Sequence, residues 1–238
     1  GQVLNRFLGF LLLPFFTLYL SPADYGILAI LGLISFIATS LFSFGLTGAA
    51  GLCYYDGTPE CKEKTIWTSF CVLLVGAAVL LSCTLFSGRL SELLFRGTEQ
   101  AYLITMVLFT SATTILASPF MLHLQFEGLA KLFVLLTFVS TVVSVGLSSF
   151  FIIFLERGAA GMVEALLIAG LLNLFLFFRA AVSRLPVRVG WTTFLALIKY
   201  GLPLIPGFVM IFVLQHGNKF ILQHLADLDA VGIYNVGF

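Results

Sequence analysis

Long apolar stretches alternate with short polar interruptions along this whole chain. A helix rising 1.5 Å per residue needs about 20 apolar residues to cross a hydrocarbon core of roughly 30 Å. By that measure a first span covers 1–20 and is closed by the turn Ser21-Pro-Ala-Asp24. A second covers 25–52 and a third 66–86, separated by a polar loop at 56–64. Arg89, Glu92, Arg96 and Glu99 mark the next connection. A fourth span covers 101–124, a fifth 132–155 and a sixth 160–178. After the loop 179–190 a seventh runs from about 193 to 225, with a kink expected at Pro203 and Pro206, and an eighth opens at 230. The connections are short, so successive helices should be antiparallel. The expected architecture is all-α: a six-helix transmembrane lobe at 1–190, with 191–238 opening a second lobe.

Composition agrees with the pattern. Hydrophobic residues make up 60% of the 238 and charged residues only 10%, with a mean hydropathy of +1.11. Soluble domains carry about 25% charged residues. A chain this apolar has no polar coat for water, but it suits lipid. The net charge of +1 gives no case for nucleic acid. Cys53, Cys61, Cys71 and Cys83 lack metal-binding spacing and read as packing residues. Neither a metal site nor a cofactor is implied.

Lys62, Lys64, Lys131, Arg179, Arg184, Arg188 and Lys199 fall on one side of the predicted layout. Arg89, Arg96, Arg157 and Lys219 fall on the other or within span seven. Seven against four places the first side, and the N-terminus, in the cytoplasm. Gly45, Gly48, Ala49 and Gly51 put small residues where spans two and a neighbour can approach closely. Trp67, Trp191, Tyr54 and Tyr55 are expected at membrane interfaces.

Polar residues inside the apolar spans carry the candidate chemistry. Arg6 lies roughly 21 Å from the outer end of span one. At about 100° per residue, Gln2, Asn5 and Arg6 share one face. A buried guanidinium costs at least about 2.5–3.5 kcal/mol, so it faces a hydrated cavity or snorkels to the headgroups. In span seven, Gln215, His216, Lys219 and Gln223 share a sector that Asn218 borders. There the same two alternatives apply. Glu164, near the start of span six, is either an ion-coupling carboxylate or an interface residue. Asn173 lies deeper in the same span.

LSPADYGIL at 20–28 has a counterpart in LADLDAVGIY at 225–234. Aligned on Gly26 and Gly232, the two suggest a repeat of roughly 200 residues. The second copy would just be opening where the sequence stops, so the expectation is a piece of a longer transporter. No nucleophile elbow, zinc-protease motif, phosphate loop or dinucleotide fingerprint occurs, so no enzyme is expected.

Four patches carry a family resemblance. LSPADYGILAI at 20–30 resembles the junction after the first helix of bacterial polysaccharide biosynthesis proteins, the O-antigen and oligosaccharide-lipid flippases. Residues 45–56 are similar to the close of their second helix. YGLPLIP at 200–206 and Gly232-Ile-Tyr234 look like their seventh helix and the start of their eighth. The resemblance implies fourteen helices in two six-helix lobes plus two, within the multidrug/oligosaccharidyl-lipid/polysaccharide exporter superfamily. It also implies a lipid-linked oligosaccharide substrate, undecaprenyl-diphosphate-linked, moved to the outer leaflet of a bacterial or archaeal plasma membrane by alternating access. Polysaccharide polymerases and glycosyltransferases would be working partners. Arg6 matches a basic first-helix position of the family's cationic cavities. Asn218-Lys219 stands where the family commonly shows Asp-Arg, so the base is kept and the acid is not.

Overall fold

The computed structural model of the chain describes residues 16–55, 59–95, 97–183, 185–225 and 234. Among the described residues six helical stretches are long and apolar enough to cross a membrane. They correspond to the second to seventh expected spans. Of the first only 16–20 are described, with 16–19 helical; of the eighth, only Tyr234.

Helix α1 (Pro22–Phe42) starts three residues before the expected span, for a local reason. Ser21 is its N-cap: the Asp24 amide donates to the Ser21 hydroxyl, and the Ser21 amide donates to the Asp24 carboxylate. Pro22 occupies the first turn, where no amide hydrogen is needed. The expected second span is interrupted at Ser43–Gly45, where Phe44 (φ 50°) and Gly45 (φ 65°) turn left-handed, and continues as α2 (Leu46–Tyr55). Helix α3 (Pro59–Ser82) takes in much of the expected polar loop. A 3₁₀ turn (Cys83–Phe86) leads into α4 (Ser87–Phe95), so Arg89 and Glu92 lie on a helix rather than in a loop. Helices α5 (Ala101–Phe126), α6 (Ala130–Ile153) and α7 (Gly158–Val182) match the next three expected spans within a few residues. The seventh span is two helices, α8 (Trp191–Gly201) and α9 (Ile205–Leu225), joined by a 3₁₀ turn (Leu202–Leu204) at the expected prolines.

Helix α5 is the pillar of the bundle. Its most apolar stretch is 61% buried, against 6% for α6. It packs on α7, α3 and α1, while α6 touches mainly α7. Between apolar helices in lipid, association depends on close approach and on polar contacts. Gly170 of α7 leaves no room for a methyl beside the Thr113 hydroxyl of α5. Ser35 and Ser111 share a hydrogen bond of 2.9 Å between α1 and α5, and the Ser140 hydroxyl donates to the Asn173 side-chain oxygen (3.2 Å) between α6 and α7.

One aromatic group departs from the expected interface roles. Trp67 and Tyr54 are buried rather than placed at a surface. Trp67 packs edge-on against Phe70, Phe120 and Phe178. Tyr54 stacks tilted on Phe126 and donates its hydroxyl to Glu127. Trp191 is exposed, stacked with Phe194. Cys71 and Cys83 are free thiols.

Candidate functional site

Helix α9 carries the polar sector, so its surroundings define the site. It packs on α1, with Phe212 stacked on Phe36 at 5.8 Å. Beside that contact lies an apolar cavity of about 240 Å³, lined by Phe36, Ile37, Ser40, Leu41, Phe208, Val209 and Phe212. Positions 208, 212, 215, 219 and 223 recur every three or four residues and so fall in one sector of the helix. The sector that begins apolar against α1 therefore turns polar over its last three turns.

Gln215 is exposed. His216, Asn218, Lys219 and Gln223 lie on the helical backbone of α9, but their side chains are outside the described residues, as are Gln2, Asn5 and Arg6 altogether. The helices run in opposite directions: Phe36 of α1 meets Phe212, while Ser40 and Leu41, further along α1, line the cavity with the earlier Phe208 and Val209 of α9. Seven residues beyond Phe212, about 10 Å along the axis, position 219 is level with Ala29. On α1, Tyr25, Ala29, Gly32 and Phe36 share a face by spacing. The Tyr25 hydroxyl is buried and has no hydrogen-bond partner among the described residues. A tyrosine placed at a turn-to-span junction gave no signal of this in the sequence.

Glu164 sits at the end of the bundle that holds Pro22 and Gly158. It is nearly buried, and both carboxylate oxygens are engaged: Arg157 Nη1 donates to Oε2 at 2.5 Å and the Tyr102 hydroxyl to Oε1 at 3.0 Å. Arg157 itself is about half exposed. The preceding Glu156 (φ 52°) and following Gly158 (φ 54°) turn the chain left-handed here. Asp24 completes this end: the Ala159 amide, at the N-terminus of α7, donates to its Oδ1 at 3.3 Å. A carboxylate there also complements the positive end of the helix dipole. Tyr102 and Asp24 thus join Glu164 in tying three connections together, a network that sequence spacing could not bring together.

The opposite end is tied as well. Arg188 Nη1 lies 3.7 Å from Glu63 Oε2, and the Gly190 amide donates to Thr68 Oγ1 at 3.2 Å. Lys62 stands 4.9 Å over the Tyr54 ring. No group of three or more metal-ligating side chains occurs among the described residues.

The described residues thus form a bundle of apolar helices with a broken seventh span. The family model described as "Polysaccharide biosynthesis protein" matches residues 1–238. The chain belongs to the polysaccharide biosynthesis protein family. Its fold is that of a solved structure titled "Inward-facing conformation of a multidrug resistance MATE family transporter of the MOP superfamily", with a TM-score of 0.70 at 14% identity. That likeness covers 91% of this chain and 53% of the transporter, so this family member spans about half its neighbour's length. No curated protein sequence matches the chain. The all-α, polytopic membrane fold expected from the sequence is therefore the fold found, and membership of the family named from the four patches is borne out.

Proposed function

We propose that the chain is part of a flippase that moves a lipid-linked oligosaccharide, carried on undecaprenyl diphosphate, across the plasma membrane by alternating access. The supporting observation is the match to the polysaccharide biosynthesis family over the full 238 residues, on a membrane-transporter fold. A diphosphate sugar cannot enter 30 Å of hydrocarbon without water and cations around it. Arg6 and Lys219 are the proposed anion contacts, with Gln2, Asn5, Gln215, His216, Asn218 and Gln223 lining the path. The amphipathic sector of α9 fits such a substrate, polar where the headgroup would pass and apolar beside the α1 cavity. The proposed setting has the N-terminus in the cytoplasm, with a polysaccharide polymerase and glycosyltransferases as working partners.

The test uses the full-length protein in cells whose surface polysaccharide depends on it. Arg6→Ala and Lys219→Ala together should abolish surface polysaccharide while membrane insertion stays normal. Unchanged polysaccharide would remove both residues from the site.

A second reading, cation-coupled drug export, draws on the likeness to a multidrug transporter and on Glu164 as a coupling carboxylate. A coupling cation at Glu164 would have to displace the Arg157 guanidinium and compete with the Tyr102 hydroxyl. Dye efflux that depends on an ion gradient and fails in Glu164→Gln would favour it.

A further inference from the structure

The breaks in the second and seventh spans meet each other. A Cβ added at Gly45 would overlap the carbonyl oxygen of Gly201, and one added at Gly201 would overlap the carbonyl oxygen of Phe44. On the other side of the same break, a Cβ at Gly76 of α3 would come within 2.5 Å of the Phe42 carbonyl oxygen. Backbone therefore meets backbone at three buried glycines, alone at Gly45 and Gly201 and beside the Phe44 ring at Gly76. A contact of this kind leaves no slack for sliding.

The two halves of span seven differ sharply on either side of this clamp. Helix α8 belongs to the lobe: Leu197 is fully buried in the main core, and Phe194 and Ile198 pack against it. Its start is held by the Gly190–Thr68 hydrogen bond and the Arg188–Glu63 pair. Helix α9 meets the rest of this chain mainly through α1. Among its described residues Val209, Met210, Ile211, Val213 and Leu214 touch little else within this chain, and the packing on α1 runs beside a cavity. Between the halves, Pro203 and Pro206 lack the amide hydrogens that would bind the carbonyls of Lys199 and Leu202. Bending at this point breaks no helical hydrogen bond at those two positions, and the cavity gives the moving half room.

We propose that 201–206 is a hinge in the middle of span seven. Residues 191–201 move with the six-helix lobe, locked by the Gly45–Gly201–Gly76 clamp, while α9 swings against α1 and changes the width of the cavity between them. The boundary between moving bodies then lies a full helix later than the change of lobe drawn at residue 190 from the sequence.

The experiment reads distances and needs no substrate, so its outcome is separate from that of the flippase reading. Full-length protein with native cysteines replaced by serine is spin-labelled in lipid nanodiscs at exposed positions. One pair joins α6 to the fixed half of span seven (Leu135→Cys with Leu195→Cys). The other joins α6 to the moving half (Val142→Cys with Val213→Cys). The 135–195 distance should be a single narrow peak. The 142–213 distance should show two resolved populations, merging into one when Pro203 and Pro206 are both replaced by alanine. A single narrow 142–213 peak, two 135–195 populations matching those of 142–213, or populations indifferent to the alanine replacements would overturn the hinge.

Discussion

A methyl group is a sensitive probe of packing, and the chain offers glycines of both kinds. At Gly201 and Gly45 it collides with backbone, whereas at Gly146 of α6 nothing lies within 4 Å. Gly201→Ala should therefore lower the stability of the full-length protein by roughly 1–3 kcal/mol, the usual range for overpacking. Gly146→Ala should raise it by up to about 1 kcal/mol through helix propensity. Thermal unfolding in one detergent compares the two. The Arg157–Glu164 pair gives an asymmetric prediction. Glu164 is nearly buried and Arg157 about half exposed. Arg157→Ala strands a carboxylate away from water and should cost about 2–4 kcal/mol. Glu164→Gln leaves a guanidinium that water can reach and should cost no more than about 1 kcal/mol. Equal losses in the two variants would mean that the carboxylate is better hydrated than its burial implies. At this scale the sequence was legible only in part. It marked Gly45 and its small neighbours as a packing surface, and the contact with Gly201 is that surface in use. It could not pair Glu164 with Tyr102, because 62 residues separate them and nothing local joins them.

Elements were easier to foresee than their ends. Apolar length alone located the spans, because the bilayer demands it. Proline chemistry located the break in span seven, where two amide hydrogens are missing. The break in span two had no comparable signal: Phe44 adopts a left-handed φ that its side chain disfavours, and packing against Gly76 and Gly201 selects it. The start of α1 was placed late because Ser21-Pro-Ala-Asp24 reads as a turn, yet it is a capping box. Asp24 serves two helices, capping α1 and accepting from the first turn of α7. Its replacement by alanine should cost about 1–2 kcal/mol, more than the roughly 1 kcal/mol typical of one cap. Asp24→Asn, which keeps the oxygen but not the charge, should recover part of that. The measurement is chemical or thermal unfolding of both variants, and an alanine variant as stable as the parent would deny the second role.

As a whole molecule, the chain is a membrane bundle whose fold class was fully legible, since composition and period leave no other class open. The candidate site was legible as a list of polar residues in apolar spans but not as a place. Arg6 lies outside the described residues, and only the backbone around Lys219 is fixed, on the sector of α9 that faces α1 lower down. The proposed function is transfer of an anionic, lipid-anchored headgroup past those two cations. The most direct measurement reconstitutes the full-length protein in sealed vesicles. An undecaprenyl-diphosphate-linked oligosaccharide is loaded in the inner leaflet, and its appearance outside is followed with an impermeant glycosidase. The account predicts rapid exposure with the parent protein, and exposure at the protein-free rate when Arg6 and Lys219 are both alanine. Exposure by the parent no faster than in protein-free vesicles, or equal in parent and double variant, would contradict it.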